Sequence, residues 1–180
     1  GIIVRMAEDG EPLTLLDGKD VNLAPDMLVI ADHGGARAVA GIMGGETSAV
    51  TEETTDVFFE SAFFEPLAIA GRARRLGLHT DASARFERGV DPTGQERAVE
   101  RATRLLISIA GGTPGPVVVT EAGGSVAAGA IRLRAARLES VLGHRVPEAQ
   151  VADILSRLGM SVADDDSGWR VTAPSWRFDV

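Results

Sequence analysis

Ala122-Gly123-Gly124-Ser125-Val126-Ala127-Ala128-Gly129 divides the chain. The run is small-sided, uncharged and without an apolar period, the composition of a flexible linker. Before it the sequence reads as strands and then helices; after it, as a strand, two short helices and a hairpin. That pattern predicts an α+β protein in two pieces. Residues 1–122 form the larger domain, a mixed sheet with packed helices; residues 123–130 are the linker; residues 131–180 form a small winged-helix-like α+β domain. A length of 180 residues suits one domain and a small companion.

Upstream of the linker, strands are expected at 2–4, 13–16 and 28–31, separated by stretches rich in Gly, Asp, Asn and Pro. Asp17-Gly18 signals a hairpin turn with positive φ at both central positions. Residues 57–61 and 116–120 read as further strands. Pro66 opens a short helix through Leu76, closed by Gly77. A longer helix takes Asp91 as cap and Pro92 in its first turn. It turns Ala98, Ala102, Leu105 and Ile109 onto the sheet and stops at Gly111-Gly112. Downstream, Ile131–Arg134 is a strand and helices cover about 136–142 and 147–158. Val151, Ile154, Leu155 and Leu158 are the core face of the second helix, strands flank Asp164-Asp165-Asp166-Ser167-Gly168, and Trp176-Arg177-Phe178-Asp179 looks strand-like.

The net charge of −8 excludes a protein that coats nucleic acid by bulk charge, so any such contact is local. The absence of cysteine excludes a disulfide framework, a thiolate zinc site, a cysteine nucleophile and an iron–sulfur centre, and a cytoplasmic location is expected. No apolar run approaches the ~20 residues that cross a bilayer, so no membrane partner is expected. The chain starts at Gly1 and stops at Val180, and is expected to be a piece of a longer polypeptide.

Against that acidic background, Arg72, Arg74, Arg75, Arg85 and Arg88 cluster with only Asp81 and Glu87 to oppose them. The planar fork of arginine suits phosphates, so the cluster is either a local RNA contact or a set of internal pairs to Glu60, Glu65, Glu87 and Asp91. His79 and Asp81, alternate residues if extended, are either two metal ligands or a base and its carboxylate, or else His79 is a hydrogen-bonded structural residue. Gly41-Ile42-Met43-Gly44-Gly45 lacks the lysine and spacing of a Walker loop, and its glycines let backbone approach a ligand or another strand closely. Glu60 follows Phe58-Phe59 and precedes Ser61-Ala62-Phe63-Phe64. It either edges an aromatic pocket, where it can accept a hydrogen bond from a ligand hydroxyl, or pairs with one of the arginines. There is no Gly-x-Ser-x-Gly elbow and no zinc signature.

GIMGG (41–45), ESAFF (60–64), GRARRLGLHTDASARFERGVDP (71–92), ERATRLL (100–106) and APSWRFD (173–179) together resemble the β-subunit family of bacterial phenylalanyl-tRNA synthetases. The resemblance covers nearly the whole chain. It implies that the larger domain is most of an editing domain that hydrolyses tyrosine wrongly esterified to tRNA(Phe). Such a sieve is needed because an apolar pocket cannot strongly reject an isostere that adds a hydroxyl. Carried over by position, Glu60 corresponds to the carboxylate that reads the tyrosine phenol, Gly44 to the glycine that keeps the pocket open, and Thr80 and Ala82 to pocket-lining residues. No side-chain nucleophile is implied, since water assisted by a ribose hydroxyl attacks the ester. The family also places a histidine in the pocket, upstream of Gly1. Asp179 corresponds to a magnesium ligand that acts with three later carboxylates, so the metal is expected in the full-length enzyme and no cofactor in this chain. ATP-dependent aminoacylation belongs to the α subunit, and the implied assembly is a heterotetramer of two α and two β chains.

Overall fold

The computed structural model describes residues 1–121 and 129–180. Most of the expected linker therefore lies outside the described residues. The chain divides into two compact units, one of Gly1–Val90 with Gly94–Pro116, the other of Asp91–Thr93 with Val117–Val180. The α+β class holds, and every strand pairing among the described residues is antiparallel rather than mixed.

In the first unit, β1 (Ile3–Met6), β4 (Leu28–Asp32), β5 (Gly35–Val39) and β6 (Met43–Gly44) form a four-stranded sheet in that spatial order, while β2 (Pro12–Thr14) and β3 (Asp20–Asn22) form a separate hairpin. The unbroken apolar run in β4 marks a strand covered on both faces, and Val29, Ile30 and Ala31 are all buried. The core gathers Leu15 and Leu23 from the hairpin with Val29 and Val39 from the sheet. Phe64, Ile69, Ala73 and Leu76 join it from the helical segment that follows. That segment comprises α1 (Pro66–Ile69), α2 (Arg72–Arg75) and α3 (Asp81–Phe86), and the unit closes with α4 (Gln95–Ala110).

Between β2 and β3 the chain turns through Leu16-Asp17-Gly18. Gly18 N–H donates to Leu15 O at 2.9 Å, and only the glycine has positive φ, at 79°. This is the three-residue hairpin loop with a left-handed third position, not the tight two-residue turn expected.

Several sequence expectations fail where a segment needed a distant partner. Residues 57–61 and 116–120 have strand composition but pair with nothing described, and a strand without a neighbour is not a strand. Trp176-Arg177-Phe178-Asp179 forms turns. The helix expected from Pro66 to Leu76 is two helices, because Gly71 at φ 80° interrupts it. The N-cap of α4 is Gly94 rather than the expected Asp91. The Asp91 carboxylate accepts from Thr93 N–H and Thr93 Oγ1 at 2.9 and 2.8 Å, a local turn that defers the helix to Gln95. Nor does α4 pack an apolar face on the sheet, since none of its residues is buried and Ile109 is 82% exposed.

The second unit runs β7 (Ile131–Arg134), α5 (Ala135–Leu142), α6 (Glu148–Arg157), β8 (Ser161–Asp165) and β9 (Gly168–Thr172), with β9 central in the sheet. This is the strand, two helices and hairpin read from the sequence. Trp169 and Val171 alternate inward along β9 and pack with Val151 of α6. Leu155 is partly buried beside them, but Ile154 and Leu158, expected in the same core, are exposed. No helix among the described residues is long and apolar enough to cross a membrane.

Candidate functional site

The glycine-rich stretch 41–45 connects β5 to β6. β5 and β6 are joined by a turn closed by Ile42 N–H to Val39 O at 3.0 Å, with Gly41 at φ 65°. A β-carbon built on Gly41 would lie 3.2 Å from Phe64 and Phe86, whose rings stand 5.1 Å apart at 53°. Gly45 lies against β5, where a β-carbon would meet Arg37 O at 2.6 Å. These two glycines serve close packing of strand and ring. Gly44 is different, since its nearest neighbour is the tip of a side chain, Leu16 Cδ1 at 3.1 Å.

Thr80 begins α3 with a reciprocal cap. Its Oγ1 accepts from Ser83 N–H at 3.0 Å, and Ser83 Oγ accepts from Thr80 N–H at 3.1 Å. The Thr80 hydroxyl proton goes to Ile42 O at 2.8 Å. One side chain thereby locks the start of α3 to the glycine-rich strand, so Gly44, Thr80 and the half-buried Ala82 share one framework. The His79-Thr80-Asp81 stretch is consequently a helix start rather than a strand. His79 is exposed and makes no described hydrogen bond, against the structural bond expected of it. Among the described residues no group of three or more His, Cys, Asp or Glu side chains could hold a metal.

Glu60 closes an exposed run covering 50–60. Its carboxyl has no ion pair or hydrogen bond among the described residues, so it is not an arginine partner, and desolvation by neighbouring atoms holds its pKa above the ordinary carboxylate value. No described hydrogen bond or ion pair joins it to the Gly44–Thr80 framework. A cleft of about 480 Å³ lies elsewhere on the unit, among Leu13, Asp20, Asn22, Ala36, Arg37 and Thr47, and none of the four expected pocket residues lines it.

The five arginines separate into two kinds. Arg72 donates to Leu67 O and Ala70 O at 3.0 and 2.7 Å and lies 3.5 Å from the Asp26 carboxylate. Arg75 reaches the same carboxylate at 2.5 Å, which lowers the Asp26 pKa. Arg88 bonds Ala84 O and stands 3.3 Å from Glu87. Arg74 and Arg85 are exposed and have no ion pair or hydrogen bond among the described residues. Of the carboxylates expected as internal partners, Glu87 pairs with Arg88, whereas Glu60 and Glu65 form no ion pair with the five among the described residues. Asp26 is the partner that sequence reasoning missed, because 46 and 49 residues of separation leave no local spacing to read. In the second unit, Asp179 accepts from Arg177 Nε and Nη2 at 2.7 and 3.0 Å, which depresses its pKa.

Residues 1–111 match the B3/4 domain family, and residues 131–180 match the tRNA synthetase B5 domain family. The chain belongs to the B3/4 family, in the form found in phenylalanine–tRNA ligase β subunits. It is 59% identical over its whole length to the phenylalanine–tRNA ligase β subunit of Yersinia pestis. Identity is 58% over 99% of the chain to that of Pectobacterium atrosepticum, and 53% over its whole length to that of Aliivibrio fischeri. The chain spans 23% of the length of each of these relatives. The B3/4 segment thus holds the Gly44–Thr80 framework, Glu60 and all five clustered arginines, whereas Asp179 lies in the B5 segment.

Proposed function

We propose that this chain is the editing portion of a bacterial phenylalanine–tRNA ligase β subunit, and that its B3/4 segment hydrolyses tyrosine mis-esterified to tRNA(Phe). The observation that carries the reading is Glu60, an exposed carboxylate with no cation or donor among the described residues. An unengaged acceptor of this kind takes the hydrogen bond of a phenol, and a bare phenyl ring offers it none. Gly44 presents no side chain on the strand, beside Leu16 Cδ1, and Ala82 adds a small apolar side chain on α3. Thr80 contributes by geometry, since its hydroxyl is committed to Ile42 O and to Ser83 N–H.

Hydrolysis in this reading needs no side-chain nucleophile. The ester is held by its amino-acid side chain and its tRNA, and water, assisted by a ribose hydroxyl of the terminal adenosine, attacks the carbonyl carbon. The tetrahedral intermediate expels the ribose oxygen, which leaves as a hydroxyl with the proton lost by the water. Free tyrosine and uncharged tRNA(Phe) are the products.

The α subunit and tRNA(Phe) are the partners of this reading, in a cytoplasmic heterotetramer, and ATP-dependent aminoacylation is assigned to the α subunit. Of the five clustered arginines, Arg74 and Arg85, with no partner among the described residues, are the cations available to tRNA phosphate. In this reading Asp179 is a magnesium ligand of the full-length enzyme, acting with further carboxylates. Here its two oxygens accept from Arg177, and no step is routed through the ion. The exposed arginines also favour a second reading, a tRNA- and subunit-binding scaffold without hydrolysis. Clearance of tyrosyl-tRNA(Phe) by the complete ligase separates the two. Glu60→Ala and Gly44→Trp each slow it, Glu60→Ala by about ten- to a hundredfold, the worth of a hydrogen bond to a charged group. Unimpaired clearance in both variants leaves the scaffold.

A further inference from the structure

The cleft of about 480 Å³ lined by the β2–β3 hairpin and the start of β5 is large enough for a small molecule. Two side chains of opposite charge stand in its walls. Arg37 is fixed at Nε by Asp32 Oδ2 at 2.8 Å and at Nη1 by Thr47 Oγ1 at 3.1 Å. Gly34 makes room for it, since a β-carbon there would lie 2.5 Å from Arg37 Nη2. A guanidinium has five N–H donors, so this one is held in place with donors to spare. Asp20 is held through one oxygen. Its Oδ1 accepts from Thr14 Oγ1 at 2.7 Å, and no cation pairs with its carboxylate among the described residues. Glu11, the third charged group of the lining, is filled by Arg5 and by two backbone N–H groups. Pro12, Leu13, Val21 and Ala36 supply the apolar part.

We infer that this cleft binds a free α-amino acid with an apolar side chain, its carboxylate on Arg37 and its ammonium on Asp20. A donor fork held by Asp32 and Thr47 is oriented before the ligand arrives, so little freedom is lost when a carboxylate docks on it. The uncompensated charge of Asp20 asks for a cation. A nucleotide suits the cleft less well, because Asp20 and Asp32 repel a phosphate and none of the lining residues is aromatic, which leaves a base no stacking platform. The inference goes beyond the editing reading and does not depend on it. Gly44, Glu60, Thr80 and Ala82 line no part of the cleft, and an amino acid esterified to tRNA has lost the carboxylate that Arg37 would hold.

The test is a ligand-observed NMR titration of the complete ligase, assembled from both subunits, with leucine, leucinamide and N-acetylleucine. Leucine binds with a Kd of about 1 mM, the worth of two charge-assisted contacts in an open cleft. Leucinamide, which lacks the carboxylate, and N-acetylleucine, which lacks the ammonium, each bind about tenfold more weakly. Asp20→Asn, which keeps the acceptor for Thr14, weakens leucine about tenfold and leaves N-acetylleucine unchanged. Arg37→Ala weakens leucine and leaves leucinamide unchanged. Should Arg37→Ala fail to fold, the leucinamide arm on the parent and the Asp20→Asn arm still decide. Absence of saturable leucine binding overturns the inference. So does leucine that binds the parent and Asp20→Asn equally, since it then sits elsewhere in the ligase. Glu60→Ala leaves leucine affinity unchanged while slowing clearance of tyrosyl-tRNA(Phe), so failure of this inference and failure of the editing reading are told apart.

Discussion

Glu11 and Glu60 are carboxylates of the same unit in opposite circumstances. Glu11 accepts from both terminal nitrogens of Arg5 at 2.8 and 2.7 Å, from Glu8 N–H at 3.0 Å and from Ala36 N–H at 2.9 Å. It ties β1 to β5, and the guanidinium of Arg5 is the main cause of a pKa lowered to about 2. Glu60 has none of these partners, and desolvation moves its pKa the other way. A carboxylate whose acceptor sites are filled by the chain's own donors holds the fold together and has nothing left for a ligand. One that is exposed and unfilled holds nothing together and is available. The same division runs through the arginines, with Arg72 and Arg75 committed to Asp26 and Arg74 and Arg85 uncommitted.

The largest effect separating the two carboxylates is on stability. Glu11→Gln removes the charge that four donors share and costs about 1 to 2 kcal/mol after allowance for solvent screening, a fall of several degrees in Tm. The pH dependence carries the sign. Because the folded pKa is depressed, the contribution of Glu11 is complete above the ordinary carboxylate range and disappears as pH falls through about 2. Thermal melts between pH 5 and pH 2 will show a steeper decline for the parent than for Glu11→Gln. Parallel curves would mean that Glu11 is no more structural than Glu60.

Much of the arrangement behind this contrast was legible in the sequence, and the illegible part has a common cause. The apolar run of β4, the place of the Gly18 turn though not its three-residue form, and the hairpin from Asp165 to Gly168 are specified by neighbours in the chain, so local pattern sufficed. Residues 57–61 and 116–120 carry strand composition, but pairing is decided by whatever lies alongside, which composition does not record. Glu60, Gly44, Thr80 and Ala82 drew their functional weight from resemblance. The bond from Thr80 to Ile42 spans 38 residues and the approach of Leu16 to Gly44 joins the β2–β3 hairpin to β6, and neither leaves a periodicity to read.

The arginine contrast gives a smaller effect. In the complete ligase, Arg74→Ala or Arg85→Ala weakens tRNA(Phe) binding severalfold and reduces the slope of log affinity against log salt by about one for each phosphate left without its cation. Arg72→Ala leaves that slope unchanged and lowers Tm instead, because it frees Asp26 and the carbonyls of Leu67 and Ala70. If all three variants alter the slope equally, pairing does not sort these side chains.

The smallest expected effect is the most discriminating for Glu60. Its folded pKa is raised, so the fold favours the protonated carboxyl. That favourable contribution is present below the ordinary carboxylate range and is lost as pH rises through the raised pKa. At pH 7 the ionised group is a small liability, and Glu60→Gln, which keeps the shape without the charge, raises Tm there by about a degree while making no difference near pH 4. The same variant impairs clearance of tyrosyl-tRNA(Phe), since an amide is a weaker acceptor for a phenol than a carboxylate. A substitution that stabilises the protein and slows its reaction marks a group kept for its ligand. If Glu60→Gln instead lowered Tm at neutral pH, the carboxylate would have a partner within the fold, and its claim on the substrate would lapse.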